Sequence, residues 1–391
     1  MWGMKMKKSR VIYFLLVILA VCLLAGCAKG ADANERGLSF YAGGDYEKAA
    51  EAFAEAVAAD NREPEYYRNR AMALIKLDRY GEAKSCLDLA DQLEPNTMAG
   101  ERARGILYYE QALYESALYS FEKALSLSTG KVGETEVDIL CYTADCQMAL
   151  ERYADAISTY TRLINAGHAS SNNYFLRGTA HLKNGSASDA GLDFDRAVSG
   201  GSYEDYWKVY CLLTERGQQE MAKQFLSKAV LLEGDSDSDH VWRGEFHYYL
   251  GNYDEAIAEF NAASQNVIDV DIYLMMAHIY MEKGDTNRVK AAFSMAKSKA
   301  PNDPYLIYQE TLFWMDAGDY EEAYELIRAG MALENNPYRQ QMHYCQASCL
   351  EYLGRFGEAL TAFKEYVNLY GSTEEIDHEI AFLETRVDTV E

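Results

Sequence analysis

The chain has few of the features that mark nucleic-acid-binding or disordered proteins. Only 5 of its 391 residues are proline, and 49% are hydrophobic, which excludes a disordered chain. Positive charge is scarce, because 37 lysines and arginines face 61 aspartates and glutamates, for a formal net charge of -24 at pH 7. Phosphate backbones repel a surface this acidic, so the sequence predicts no nucleic-acid partner.

Motifs for catalysis and metal binding are also missing. There is no His-Glu-x-x-His pair, no glycine-rich phosphate loop and no Gly-x-Ser-x-Gly turn. Of the 8 cysteines, six follow residue 27, and none of them has CxxC spacing. We expect these six to be buried free thiols, with a disulfide as the first alternative and a metal site as the second. The sequence therefore predicts no enzymatic activity, no metal and no cofactor.

Long hydrophobic runs are absent except near the N-terminus. The run from Val11 to Leu24 is shorter than the roughly 20 residues that a membrane-spanning helix needs. Small residues follow it, and basic residues precede it at Lys5, Lys7, Lys8 and Arg10. This order of charged, apolar and small residues predicts a secretory signal peptide over residues 1–26.

The end of this segment, Leu24-Ala25-Gly26-Cys27, resembles the lipobox of bacterial lipoproteins. The resemblance implies cleavage before Cys27 and attachment of two acyl chains to it, which is enough for stable anchoring. Residues 27–31 would then be a lipidated tether. We expect the exported part to lie on the outer face of the cell membrane, or at the outer membrane if the host has one. An uncleaved anchor with a chance cysteine is the alternative.

A short pattern, Gly-Asp-Tyr-x-x-Ala, recurs along the rest of the chain. It is clearest at 44–49, 251–256 and 318–323, and looser copies bring the total to ten, spaced 32 to 39 residues apart. A large apolar residue usually follows the alanine by four residues, and another alanine often comes three later, which places these side chains on one helix face. Twelve residues before the alanine, eight of ten copies have a small residue, so two helices can approach closely. Each copy is therefore predicted to be a helix pair that must stack on its neighbours.

The ten copies resemble the tetratricopeptide repeat. This resemblance implies an all-α fold, a right-handed superhelical solenoid of about ten helix-turn-helix repeats over residues 32–368. Ser372 and Glu375 have the spacing of a capping box, and an apolar stripe follows them. We therefore predict a C-terminal capping helix over residues 372–391, which would cover the open end of the array.

In tetratricopeptide arrays the first helix of each unit lines a concave groove, so the resemblance also implies a binding site. Carried onto this chain, the groove positions of the family include mainly aromatic and basic residues, namely Arg68, Arg102, Tyr109, Phe175, Trp207, Tyr248, Tyr249, Tyr305, Tyr308, Tyr344 and Tyr352. Acidic residues join them at Asp145, Glu204, Glu245, Asp271, Glu282 and Asp316. We expect a membrane-anchored scaffold or adaptor of the cell envelope that binds a basic or amphipathic segment of another protein.

Two alternatives remain open for these aromatic residues. Tyrosines at helical spacing also pack between repeats, in which case they would not contact a partner. Aromatic faces stack on sugar rings as well, so a glycan-binding lipoprotein that uses the same groove is the second functional hypothesis.

Overall fold

The computed structural model describes residues 29–128, 132–264 and 266–387, and within these ranges it contains helices and turns but no strand. Twenty-one helices follow one another along these residues, and the first, α1, covers 29–42. The others are α2 (Tyr46–Ala59), α3 (Pro64–Lys76), α4 (Tyr80–Leu93), α5 (Met98–Glu110), α6 (Tyr114–Ser126), α7 (Glu134–Ala149), α8 (Tyr153–Asn165), α9 (Ser171–Lys183), α10 (Ala187–Ala197), α11 (Tyr203–Glu215), α12 (Gln219–Ala229), α13 (Asp237–Leu250), α14 (Tyr253–Ala262), α15 (Val270–Glu282), α16 (Thr286–Lys299), α17 (Pro304–Asp316), α18 (Tyr320–Met331), α19 (Arg339–Tyr352), α20 (Phe356–Tyr370) and α21 (Glu374–Val387).

Each predicted repeat corresponds to one pair of these helices. Helices that are consecutive in sequence pack on each other, as α3 does on α4 and α15 on α16. The expectation of an all-α array of about ten helix pairs, followed by one further helix, is confirmed. None of the helices in the described residues is both long and apolar enough to cross a membrane.

The array divides into two compact units, and the division falls after Asp205, within α11. We call them the N-terminal unit and the C-terminal unit. Each has its own apolar core. Buried residues in the N-terminal unit include Phe53, Leu74, Leu87, Ile106 and Phe121. Those in the C-terminal unit include Phe260, Ile272, Phe293, Trp314 and Ile327.

A glycine and a phenylalanine bring the two helices of several pairs together. A Cβ built on Gly37, Gly105, Gly178 or Gly244 would lie less than 3.0 Å from ring carbons of Phe53, Phe121, Phe194 or Phe260, respectively. These are the small and large residues of the repeat pattern. In these four pairs the ring of the second helix fills the space that a side chain on the first helix would need.

The turn inside every pair uses the same backbone conformation. One residue in each turn has a positive φ, between 55° and 85°, at the same place in all ten pairs. Seven of these residues are glycines, which adopt this conformation at little steric cost. The other three are Asp78, Ala112 and Glu151, all in the N-terminal unit.

The ends of the array differ in detail from the sequence-based expectation. Helix α1 already covers 29–31, so three residues assigned to the tether are helical, whereas Cys27 and the signal peptide lie outside the described residues. At the other end, the predicted capping box of Ser372 and Glu375 is wrong. Because α21 starts at Glu374, Thr373 takes the capping position, and its hydroxyl accepts a hydrogen bond from the Ile376 N–H at 3.4 Å.

Candidate functional site

The first helices of successive pairs lie side by side within each unit. In the N-terminal unit α3 contacts α5 and α5 contacts α7, and in the C-terminal unit α13 contacts α15. We call the surface that these odd-numbered helices share the first-helix face of each unit. All eleven aromatic and basic residues predicted for the groove lie on odd-numbered helices from α3 to α19. The structure therefore gathers four of them on the N-terminal unit and seven on the C-terminal unit.

An open cavity of about 590 Å³ lies on the first-helix face of the N-terminal unit. Its walls come from three successive first helices, α3, α5 and α7. The lining residues are Glu65, Arg68, Asn69, Met72, Ala99, Arg102, Ala103, Glu134, Thr135 and Asp138. Two predicted groove residues, Arg68 and Arg102, thus line one cavity.

Both arginines in this cavity have a carboxylate partner. Nη1 of Arg68 lies 3.0 Å from Oε2 of Glu94, and Nε of Arg102 lies 2.6 Å from Oδ2 of Asp138. Nearby on α3, Lys76 is paired in the same way with an acid of α5, Glu110, at 2.9 Å. These three basic groups are therefore neutralised by acids of the same unit.

The predicted aromatic residues of the N-terminal unit are half-buried against other rings. The ring centre of Tyr109 lies 5.1 Å from that of Tyr142, and Phe175 lies 5.7 Å from the core ring of Phe194. Desolvation, and after it the negative charge of Asp145, raises the pKa of Tyr109 to about 12. Both residues contribute to packing within the unit, as the packing alternative expected.

The C-terminal unit carries a cluster of three rings that we call the aromatic wall, formed by Trp207, Tyr210 and Tyr249. Ring centres are 5.1 Å apart for Trp207 and Tyr210, 5.1 Å for Trp207 and Tyr249, and 5.6 Å for Tyr210 and Tyr249. All three side chains are half-buried. The predicted residue Tyr248 adjoins the wall, with its ring centre 5.3 Å from that of Tyr249.

Tyr210 was missed as a site residue by the sequence analysis. It occupies the position where eight of ten repeats have a small residue, and the partner position holds Leu226 in place of an aromatic. A large ring at a site that normally holds glycine or alanine has no room beneath the second helix. That substitution is the signal by which the sequence could have placed Tyr210 on the wall.

Four further predicted tyrosines of the C-terminal unit contact neighbouring rings. Tyr305 and Tyr308 approach Tyr338, with ring centres 5.8 Å and 5.0 Å away, and Tyr352 lies on Tyr320 at 4.4 Å with the rings parallel. Tyr344 meets the edge of a buried phenylalanine of α20 at 5.9 Å. Tyr305, Tyr344 and Tyr352 nevertheless keep 38%, 40% and 68% of their surface exposed. These side chains pack and remain accessible to a partner at the same time.

Four predicted groove acids on the first helices of the C-terminal unit have no counter-ion in the described part of the chain. Glu245, Asp271, Glu282 and Asp316 form no ion pair with any residue in the described ranges. Neither α15 nor α17 contains a lysine or arginine. Desolvation, with the nearby charges of Asp269 and Asp271, raises the pKa of Glu245 to about 7.

A smaller apolar cavity of about 270 Å³ lies on the same face. Residues of α15, α16 and α17 line it, namely Leu274, Ala277, His278, Met281, Phe293, Gln309, Leu312, Phe313 and Asp316. Nδ1 of His278 is buried and has no hydrogen-bond partner in the described part of the chain. Sequence reasoning did not identify this cavity, because its walls come from three helices and its volume depends on side-chain packing.

The six cysteines after residue 27 are all free thiols in the structure. Four of them are buried, Cys141 is half-buried and Cys211 is exposed, so the expectation of burial fails for Cys211. Within residues 29–128, 132–264 and 266–387, no group of three or more His, Cys, Asp or Glu side chains is arranged to hold a metal ion.

Comparison with known proteins supports the repeat assignment. A family model described as tetratricopeptide repeat matches residues 34–96 and 143–205, so these segments contain tetratricopeptide repeats. The chain is 31% identical over 137 residues to tetratricopeptide repeat protein 16 of Mus musculus, a match that covers 34% of this chain and 18% of that protein. It is 30% identical over 109 residues to the cell division cycle protein 16 homolog of Homo sapiens, covering 27% and 17%. The chain thus spans less than a fifth of either relative.

Solved structures give a more distant likeness. The structure described as the functional characterization of Pseudomonas aeruginosa pilF is 14% identical to this chain, with a TM-score of 0.44. The match covers 57% of this chain and 98% of that one. Similarity at this level bears on neither the partner nor the activity of the protein.

Proposed function

We propose that this protein is a non-catalytic scaffold, exported and held at a membrane surface by lipid on Cys27, that binds segments of other proteins along its first-helix face. The observation that carries the proposal is the gathering of accessible aromatic side chains on that face. Tyr305, Tyr344 and Tyr352 remain 38% to 68% exposed although each rests on another ring. Tyrosine and tryptophan held in this way are typical of protein interfaces, because they offer a large contact area with little entropy to lose.

The membrane part of the proposal rests on the order of residues in the first 27 positions. The lipobox-like Leu24-Ala25-Gly26-Cys27 follows a charged and apolar leader. Metabolic labelling with a radioactive fatty acid tests it directly. We expect label on the wild-type protein and none on Cys27→Ser, which should also leave the membrane fraction. Equal labelling of both proteins would show that Cys27 is not the attachment site.

In-cell photo-crosslinking tests the binding part. A photo-reactive amino acid replaces Tyr305 on the first helix of its pair, and in a matched control it replaces Met295 on the second helix α16. The two positions are 38% and 39% exposed, so they differ in face and not in accessibility. Mass spectrometry of the adducts should identify one protein captured from position 305 and absent from position 295.

A glycan ligand is the second candidate function. The stacked pairs Tyr308–Tyr338 and Tyr320–Tyr352, with ring planes 11° and 1° apart, favour it, because sugar rings stack on flat aromatic surfaces. Absence of any protein adduct at position 305, together with binding of the purified protein to a cell-wall or capsule sugar on a glycan array, would replace the protein-binding proposal with this one. Equal adducts from both positions would remove the first-helix face as the site.

A further inference from the structure

The carboxyl group of Glu245 has no partner of its own. It lies on α13, half-buried on the first-helix face of the C-terminal unit. No ion pair or hydrogen bond joins its side chain to another residue of the described ranges. A half-buried carboxylate is costly unless a cation or several hydrogen-bond donors compensate its charge. Glu245 therefore lacks, in the free chain, the group that would stabilise its ionised form.

Two neighbouring carboxylates make this deficit larger. Asp269 and Asp271, at the start of α15, both act on it electrostatically and disfavour its ionisation. Asp269 caps its own helix by accepting a hydrogen bond from the Ile272 N–H at 3.1 Å. Asp271 is exposed and unpaired. Glu245 and Asp271 are therefore two uncompensated carboxylates in one region of the face.

The aromatic wall adjoins Glu245. Glu245 and Tyr249 are one helical turn apart on α13 and share a face of that helix. Burial, and after it the charge of Glu245, raises the pKa of the Tyr249 phenol. Tyr249 is in turn 5.1 Å from Trp207 and 5.6 Å from Tyr210, between ring centres. Ring faces of tryptophan and tyrosine attract cations, Trp most strongly.

We propose that Glu245, Asp271 and the aromatic wall form a subsite for the lysine or arginine side chain of a basic partner segment. The inference rests on the proposed function, because it names the chemistry of the segment that the first-helix face binds. A cationic side chain there would neutralise two carboxylates that the protein leaves unpaired and place its aliphatic stem against the rings. The absence of lysine and arginine from α15 and α17 leaves no competing cation on those helices.

Peptide binding to the purified full-length protein tests this subsite. The probes are three fluorescently labelled decapeptides that alternate alanine with lysine, with arginine or with glutamine. Fluorescence anisotropy should report binding of the lysine and arginine peptides and none of the glutamine peptide. Glu245→Gln and Asp271→Asn should each weaken binding of a basic peptide at least tenfold. Glu255→Gln is the matched control, because it removes the same charge from α14, where Glu255 is exposed and unpaired.

Each outcome decides for or against the subsite. Loss of binding in Glu245→Gln and Asp271→Asn, with Glu255→Gln unchanged, supports it. Equal weakening in all three variants would mean that the basic peptide responds only to net charge and would overturn the proposal. Absence of binding, or equal binding of the glutamine peptide, would overturn it as well. Free arginine amide that binds as tightly as the peptide would assign the site to a small cation instead.

The crosslinking experiment separates this inference from the proposed function. If position 305 captures a protein and Glu245→Gln leaves that capture unchanged, the scaffold proposal stands and the cation subsite fails. If position 305 captures nothing while the basic peptides bind in a Glu245-dependent manner, the subsite stands and the protein-scaffold proposal fails.

Discussion

The two units use the same helix-pair backbone but differ in how particular charges on their first-helix faces are compensated. In the N-terminal unit, Arg68, Lys76 and Arg102 each pair with a carboxylate of the same unit. In the C-terminal unit, Glu245 and Asp271 have no counter-ion within the described residues. Repeated backbone geometry therefore does not dictate a repeated function, since the side chains that it presents can be self-neutralised in one stretch and left unpaired in another.

The units also differ in the turns within their helix pairs. In the C-terminal unit every positive-φ turn residue is glycine, whereas Asp78, Ala112 and Glu151 occupy this conformation in the N-terminal unit. A residue with a Cβ is disfavoured there by roughly 1–2 kcal/mol. The N-terminal unit tolerates three such residues because packing of the paired helices holds the turn in place.

The largest loss of stability should come from filling the space between paired helices, and the loss should be equal in both units. Gly105→Val and Gly244→Val place a Cβ less than 3.0 Å from the rings of Phe121 and Phe260, so each should destabilise its unit by about 2–3 kcal/mol. Urea unfolding measures this loss. Gly81→Ala is the control, because nothing lies within 4 Å of a Cβ at that position. A large loss in one unit only would show that the pairs are not equivalent.

Exchange of glycine and alanine at the turns should change the stability of the two units in opposite directions. Ala112→Gly relieves the backbone of a residue at φ 55° and should stabilise the N-terminal unit by about 1 kcal/mol. Gly251→Ala imposes that conformation on a residue with a Cβ and should destabilise the C-terminal unit by a similar amount. Thermal unfolding of the two variants measures both shifts. Shifts of the same sign would contradict the assignment of strain to these turns.

The unpaired carboxyl of Glu245 should make stability depend on pH. Its pKa in the folded protein is about 7, above the ordinary 4.5, so the folded state disfavours the charged form. The free-energy cost of holding ionised Glu245 in the folded protein is absent below pH 4.5, grows between pH 4.5 and 7, and is complete above pH 7. Glu245→Gln should therefore leave stability unchanged near pH 4.5 and raise it at pH 8, by about 1 kcal/mol after allowance for solvent access.

Measurement of the unfolding of the wild-type protein and of Glu245→Gln at pH 4.5 and pH 8 tests this expectation. Asp138→Asn in the N-terminal unit serves as the contrast, because it removes a carboxylate that Arg102 already neutralises and should not stabilise the protein at either pH. If the two variants responded alike, the difference in charge compensation between the units would have no energetic consequence.

The smallest effect on stability should follow from breaking a partly exposed ion pair of the N-terminal unit. Arg68→Gln removes the pair with Glu94; the Arg68 side chain is 15% exposed and that of Glu94 is 49% exposed, so water screens the pair and stability should change by less than about 0.5 kcal/mol. Binding of the basic decapeptides should stay within twofold of the wild-type value. A tenfold change would place the basic-segment site on the N-terminal unit instead.

Much of the fold could be predicted from the sequence because helix pairing depends on local spacing. Gly105 and Phe121 belong to one repeat, so their positions in the pattern already predict their contact. Turn glycines such as Gly251 were likewise part of the repeated motif. The positive φ of Ala112 could not be predicted from its residue type, since alanine disfavours it and only its place in the repeat indicates it.

The chemistry of the face was less predictable, because it depends on contacts between repeats. Tyr308 stacks on Tyr338, which is thirty residues away, and Arg102 pairs with Asp138 of the next repeat. The sequence predicted the tyrosines either for a groove or for packing, and in the structure several of them, such as Tyr352, contact another ring and remain exposed. Which acids remain unpaired is set by side-chain positions across neighbouring helices, and no pattern in the chain records it.

The shared turn has a consequence for the modularity of the array. Asp78 and Ala112 occupy the same place in successive pairs, have φ of 57° and 55°, and are 34 residues apart. Deletion of the residues between one turn and the next would remove two helices, and the new junction would have the same backbone conformation as the old one. The length of the array, and with it the length of its first-helix faces, is thus adjustable in whole helix pairs by deletion or duplication without redesign of the turns.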